Sequence, residues 1–341
     1  MKPKLKPLHE QTIVITGGTS GIGLCTAQEA ARRGARVFVI ARNEDTLKKV
    51  TDEIRANGGE ADYAVADVGD RAQLRQAAEK AAARWGGFDT WVNNAGVGIY
   101  AKLEEMSDED HERIFRTNYF GMANGSLEAL KHLKPKGGAL INVGSISSEM
   151  PSPILSAYTA SKHAVKGFTD SLRLELRLDH APVSVTLIKP SGIDTPFGQH
   201  AKNYTDGRAV VPPPTYHPKL VAQAILHAAE HPTRDILVGE SGYAQTRFAH
   251  YLPWLADRLF PWVFNKTAID RSRPKRGGHG LHRSGSTGEV RGEQTAIPVS
   301  PYTSAQMHPT ATAAIALGAA AIGAALVMRQ GQSGRRSRRR R

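Results

Sequence analysis

Apolar and polar positions alternate in two different rhythms along the first 240 residues. Short β-branched or apolar runs at Thr12–Thr16, Arg36–Ile40, Ala61–Ala66, Asp89–Val92, Ala139–Val143, Val183–Ile188 and Asp235–Gly239 read as strands. Between them lie segments with helical spacing, at Leu24–Arg33, Glu44–Asn57, Arg71–Trp85 and from Ser156 onward, with a further helix carrying Asn118. Strands that alternate with helices predict an α/β fold in which a parallel sheet is covered on both faces. Ligands of such sheets bind beyond the carboxyl ends of the strands.

The residues at those strand ends carry the chemistry. The first strand runs into Gly17-Gly18-Thr19-Ser20-Gly21-Ile22-Gly23 and then into a helix. Strand, glycine-rich turn and helix start make a phosphate cradle, because glycine admits close backbone approach and free N–H groups face the anion. The fold class expected is therefore Rossmann-type: a doubly wound, mostly parallel, seven-stranded sheet with helices on both faces. The spacing is Gly-x-x-x-Gly-x-Gly rather than the more usual Gly-x-Gly-x-x-Gly. Its contact residues would be Gly17, Thr19, Ser20, Gly21, Ile22 and Gly23. The second strand ends at Ala41-Arg42, where an acidic residue would select NAD. A guanidinium fork there suits a 2′-phosphate, hence NADP(H); the alternative is a solvated surface charge. Asp67 and Val68 follow the third strand, where an adenine edge would lie, and Asn94-Ala95-Gly96 close the fourth. Tyr158 and Lys162 stand four apart, on one face of a helix. A nearby ammonium favours the phenolate, so such a tyrosine is expected to exchange a proton near neutral pH.

Taken in order, Thr16-Gly17-x-x-x-Gly21-x-Gly23, Asn93-Asn94-Ala95-Gly96, Ser145 and Tyr158-x-x-x-Lys162 resemble the short-chain dehydrogenase/reductase family over roughly residues 8–245. The resemblance implies a tetrad of Asn118, Ser145, Tyr158 and Lys162. Tyr158 would be the acid/base, Lys162 would lower its pKa and hold the nicotinamide ribose, Ser145 would orient the substrate oxygen, and Asn118 would support a water relay behind Lys162. Ile193 and Thr195 would meet the nicotinamide amide and Pro190 would be a further cofactor contact, although Ser191 departs from the family's usual Pro-Gly. The reading is an NADP(H)-dependent oxidoreductase that interconverts a carbonyl and a secondary alcohol; its rival is a non-catalytic NADP(H)-binding sensor or scaffold. The partners expected are a small, apolar carbonyl or alcohol substrate and further copies of the chain.

Composition changes the picture mainly at the C-terminus. Of the formal charge of +13, +11 lies from Lys266 onward, so the first 265 residues are nearly neutral and offer no basic nucleic-acid groove. A single cysteine, Cys25, excludes an intramolecular disulfide, and the first residues lack an apolar core of signal-peptide length. A cytoplasmic location follows as the expectation. The loop from Pro196 to Pro218 has the length of a substrate lid; its His200 and His217 read as loop histidines rather than metal ligands, and no metal is expected. The aromatic stretch Phe248–Phe264 suits a membrane interface, a pocket cover or a subunit contact. With the domain assigned to 8–265, residues 266–307 read as a disordered linker, 308–328 as an apolar Ala/Gly-rich candidate membrane segment, and 329–341 as an Arg-rich tail suited to anionic lipid or to RNA. A span at 308–328 would put the tail and an NADPH-using domain on opposite sides, a conflict that an interfacial segment avoids.

Overall fold

The computed structural model describes residues 3–284 and 288–314. Its centre is a sheet of seven parallel strands: β1 Thr12–Thr16, β2 Arg36–Ala41, β3 Ala61–Val65, β4 Thr90–Asn93, β5 Gly138–Val143, β6 Val183–Pro190 and β7 Asp235–Val238. In space they run β7-β6-β5-β4-β1-β2-β3. The order reverses between β1 and β4, which pair directly, and a crevice opens there at the carboxyl ends.

Side chains along each strand sort by period two. Ile13 and Ile15 of β1 and Val37 and Val39 of β2 join one buried cluster; Val14, Phe38 and Ile40 join the other. Helices α1 (Gly21–Arg32) and α2 (Glu44–Ala56) cover the first face, together with a later helix over Pro218–Glu230. Helices α3 (Arg71–Trp85), α5 (Gly121–Lys136) and α6 (Ser156–Leu178) cover the second; α4 (Asp108–Phe115) precedes α5. Cys25 sits buried in α1, where burial pushes its thiol up to about 11. Past the sheet's seventh strand come α9 (Glu240–Tyr251) and α10 (Pro253–Thr267), after the short α7 (Phe197–His200) and α8, the Pro218–Glu230 helix.

One expectation is corrected here. Residues 266–284 and 288–307 are not a disordered linker but lie fixed against the domain. Ile269–Asp270 pairs with Arg208–Ala209, Ala296–Ile297 pairs with Thr215–Tyr216, and α11 (Pro301–Met307) packs by β7. Leu281 is fully buried, and several of the arginines that gave the stretch its linker-like composition bond carbonyls and carboxylates. Composition without periodicity signals absent regular structure, and irregular backbone satisfied by specific partners has the same signature. The folded body therefore extends past residue 265. Of the candidate membrane segment only 308–314 is described; residues 315–328 and the Arg-rich tail lie outside the described residues. Among the described residues no helix is long and apolar enough to cross a membrane.

Candidate active site

The glycine turn is shaped by close contacts. Gly17 has φ +67°, and a Cβ there would meet Ala95 Cα at 2.7 Å. A Cβ on Gly23 would meet the Gly17 carbonyl oxygen at 2.2 Å and Asn94 Nδ2 at 2.4 Å. Asn94 staples the turn to β4: its Nδ2 donates to the carbonyls of Thr16 (3.0 Å) and Gly17 (3.1 Å), and Thr16 Oγ1 accepts from the N–H groups of Asn94 (3.0 Å) and Ala95 (3.1 Å). These contacts place the start of α1 at the crevice, and a pyrophosphate would fit this cradle of glycine backbone and helix N-terminus once the Glu289 carbonyl, which accepts from Gly21 N–H at 2.9 Å, moves aside. Gly17, Thr19, Ser20, Gly21 and Ile22 line one continuous cleft of about 540 Å³; Gly23 lies behind it as a packing position.

The same cleft reaches Ser145, Tyr158 and Lys162. Tyr158 and Lys162 lie one turn apart near the start of α6, with the Lys162 Nζ 5.6 Å from the phenol ring centroid. Lys162 is buried and its ammonium donates to the Val143 carbonyl at 2.9 Å. Burial pushes this lysine down to about 8. Tyr158 departs from the expectation: burial pushes its phenol up to about 12, and the hydrogen bond with Ser145 offsets only part of that. The ammonium is bonded to a carbonyl rather than to the phenol oxygen, so it does not produce a phenolate here. As arranged, Tyr158 holds its proton. Ser145 caps a short turn, accepting from Ser147 N–H at 3.1 Å.

Asn118 falls in a π-helical turn, Arg116–Phe120, between α4 and α5, a distortion common at functional sites. Its Nδ2 donates to the Val97 carbonyl and to Ser161 Oγ, both at 3.0 Å, and its Oδ1 accepts from Val97 N–H at 2.8 Å. The side chain lies next to Gly96, as does Lys162 Nζ. It therefore holds the β4 loop to α6, behind the lining of the cleft.

Arg42, Asp67, Val68, Asn94, Ala95 and Gly96 line the other end, and Pro190, Ile193 and Thr195 the loop after β6. Arg42 is not a solvated charge. Its guanidinium donates to the carbonyls of Gly280 (2.5 Å), Leu281 (3.2 Å) and Arg283 (3.1 Å). Burial opposes ionisation of Asp67, but Arg113 at 2.5 Å, the Gly69 N–H and the Arg42 charge outweigh it and hold the carboxyl below its usual range.

The substrate side is apolar and was only partly legible beforehand. Phe197 meets Tyr158 edge-on with centroids 5.4 Å apart. Tyr100, Phe248, Leu259, Phe260, Val263 and Phe264 complete this wall. The inner face of α10 thus covers the pocket, while Trp254 and Trp262 on its outer face are exposed. His200 lines the cleft, where burial pushes its imidazole below the usual range, and His217 caps α8 by accepting from Lys219 N–H. Among the described residues no three His, Cys, Asp or Glu side chains cluster as metal ligands would. Asp194 and the segment from Gly280 to Arg283 are site neighbours that sequence reasoning missed, the latter because it lies far along the chain without periodicity.

Comparison with known proteins agrees with this geometry. The short chain dehydrogenase family profile matches residues 11–205. The chain is 42% identical over 336 residues to an uncharacterized oxidoreductase, YxnA, of Bacillus subtilis, covering 95% of this chain and 93% of that one. It is 33% identical over 195 residues to a 3beta-hydroxysteroid dehydrogenase of Mediterraneibacter gnavus, covering 56% of this chain and 69% of that one. Among solved structures it resembles a short chain dehydrogenase/reductase from Burkholderia phymatum in complex with NAD (TM-score 0.66, 26% identity, 72% of this chain and 94% of that chain). It also resembles an alcohol dehydrogenase from Thermococcus sibiricus complexed with 5-hydroxy-NADP (TM-score 0.59, 25% identity, 67% and 95%).

Proposed function

Because this chain belongs to the short chain dehydrogenase family and is an oxidoreductase of that family, we propose that it is NADP(H)-dependent and interconverts an apolar carbonyl compound and its secondary alcohol. The observation that carries the reading is the continuous cleft joining a glycine phosphate cradle to half-buried Tyr158 and buried Ser145 and Lys162. A bound nicotinamide supplies or accepts the hydride. The chain's own part is to hold and deliver the proton. Tyr158, kept protonated by burial, donates from its hydroxyl to the carbonyl oxygen during reduction. Ser145 bonds the same hydroxyl and fixes where that oxygen must lie. Lys162 brings a positive charge beside the ring, which favours the phenolate left after donation. Asn118 keeps the β4 loop and α6 in register, so the two ends of the cleft stay aligned.

Preference for NADP(H) is supported by Ala41-Arg42 at the end of β2, with Arg113 close by and no acidic residue at that strand end. The apolar substrate class is supported by Phe197, Phe248, Phe260 and Phe264, and by the named steroid-active relative. The test is a panel of apolar ketones and secondary alcohols followed at the nicotinamide absorbance, with Tyr158→Phe as control. That variant keeps the ring and loses the proton, so turnover should fall by roughly 10²–10⁴ while cofactor binding survives. Near-full turnover by Tyr158→Phe on a competent substrate would sink the proton-transfer role.

A further inference from the structure

Beyond α10 the chain crosses the open side of the cleft twice, in limbs 280–284 and 288–294. On the first limb, Leu281 is buried among Ile99, Ala101, Ile114 and Ala157, a cluster that Tyr158 also packs against. Gly280 N–H donates to the His200 carbonyl at 2.7 Å, and the three carbonyls that receive Arg42 belong to this limb. Arg113 Nε adds a bond to the Leu281 carbonyl at 3.0 Å, and His282 Nε2 lies 2.7 Å from Asp110 Oδ1. On the second limb, the Glu289 carbonyl accepts from Gly21 N–H, in the cradle itself, at 2.9 Å. Arg291 Nε and Gln294 N–H then donate to the two oxygens of fully buried Asp194, at 2.9 and 3.0 Å. Gly292 lies so close to the loop after β6 that a Cβ would meet the Thr195 carbonyl at 2.7 Å.

The attachment points run along the whole dinucleotide site: Arg42 at its ribose-phosphate end, Gly21 over the pyrophosphate cradle, and Asp194–Thr195 at its nicotinamide end. We propose that the two limbs form the outer wall of the dinucleotide site, which must part for the cofactor to enter or leave, and that they hold Arg42 in position to meet it. This rests on the cofactor site assigned above. Parting the wall breaks hydrogen bonds to charged groups and lifts Leu281 from its pocket, and none of these groups takes part in proton or hydride transfer. The wall therefore lengthens the residence of the bound cofactor without altering the chemical step.

The experiment preloads the full-length chain with NADPH, and separately with NADH, and follows loss of bound-nicotinamide fluorescence after a chase with excess oxidised cofactor. Arg291→Ala removes a half-exposed side chain at one end of the wall, and His282→Ala loosens the other while Lys202 and Tyr204 remain on Asp110. Each variant should release either cofactor about tenfold faster, the scale of one hydrogen bond to a charged group. Release as slow as wild type in both variants overturns the proposal, as does faster release accompanied by the same loss of thermal stability in an Asp206→Ala control, which breaks an exposed ion pair with Arg271 away from the wall. A wild-type chain that holds NADH more tightly than NADPH would overturn the cofactor preference and leave the release test standing with NADH. Binding of neither would sink both.

Discussion

At the scale of single residues, the proposed chemistry rests mostly on two charges. Lys162 is buried and titrates near 8, below its ordinary value, because burial disfavours its charge. Below that pH it is charged and, in the proposed mechanism, favours the phenolate that reduction would leave on Tyr158; above it the charge is lost. The reductive kcat/KM of the free enzyme should hold level to about pH 8 and then decline, and a profile flat to pH 10 would contradict the role given to Lys162. Arg42 makes a second case. Arg42→Ala should weaken NADPH binding by about 1.5–3 kcal/mol, the scale of a bond to a charged group, and NADH binding by distinctly less. Titration of both cofactors into both proteins decides it, and equal weakening of the two would leave Arg42 as an anchor of the C-terminal wall only.

Among the elements, the strand–turn–helix unit at Thr12–Arg32 is the least tolerant. Gly23→Ala would drive a methyl against the Gly17 backbone carbonyl and the Asn94 side-chain amide, itself tied to two carbonyls, so overpacking should cost about 1–3 kcal/mol and displace the cradle. A lowered melting temperature with weakened cofactor binding is the expected result; wild-type values for both would show that the turn can yield. This unit was legible in the sequence because alternation, glycine spacing and helical period all report on local backbone. The seven strands were legible for the same reason, as was the sharing of one helical face by Tyr158 and Lys162. The π-helical turn at Asn118 was not, since an inserted residue leaves the helical pattern nearly intact. Nor was the Tyr158 environment: the spacing Tyr-x-x-x-Lys places two side chains on one face but says nothing of how dry that face is, and dryness outweighs the ammonium.

For the molecule as a whole, the docked C-terminal segment changes where the protein can be cut. Removing everything after residue 265 strips the Asp194 carboxylate of Arg291 and Gln294 and frees Arg42 of the three carbonyls it binds. It also uncovers the apolar pocket of Leu281, and each lost bond to a charged group costs about 1.5–3 kcal/mol, a large share of the roughly 5–15 kcal/mol by which domains are stable. A 1–307 fragment should therefore melt cooperatively near the full chain, and a 1–265 fragment should melt far lower or fail to fold. Equal melting temperatures would return residues 266–307 to the status of a linker.

The same segment also bears on what sets the pace of the reaction cycle. If departure of the spent nucleotide is the slowest event, the maximal rate ceases to depend on which ketone was reduced. Good and mediocre substrates would then share one kcat and differ only in kcat/KM. A deuterium in place of the transferred hydrogen would depress kcat/KM and leave kcat unmoved, and the Arg291→Ala chain, with its faster exchange, would recover the isotope effect on kcat.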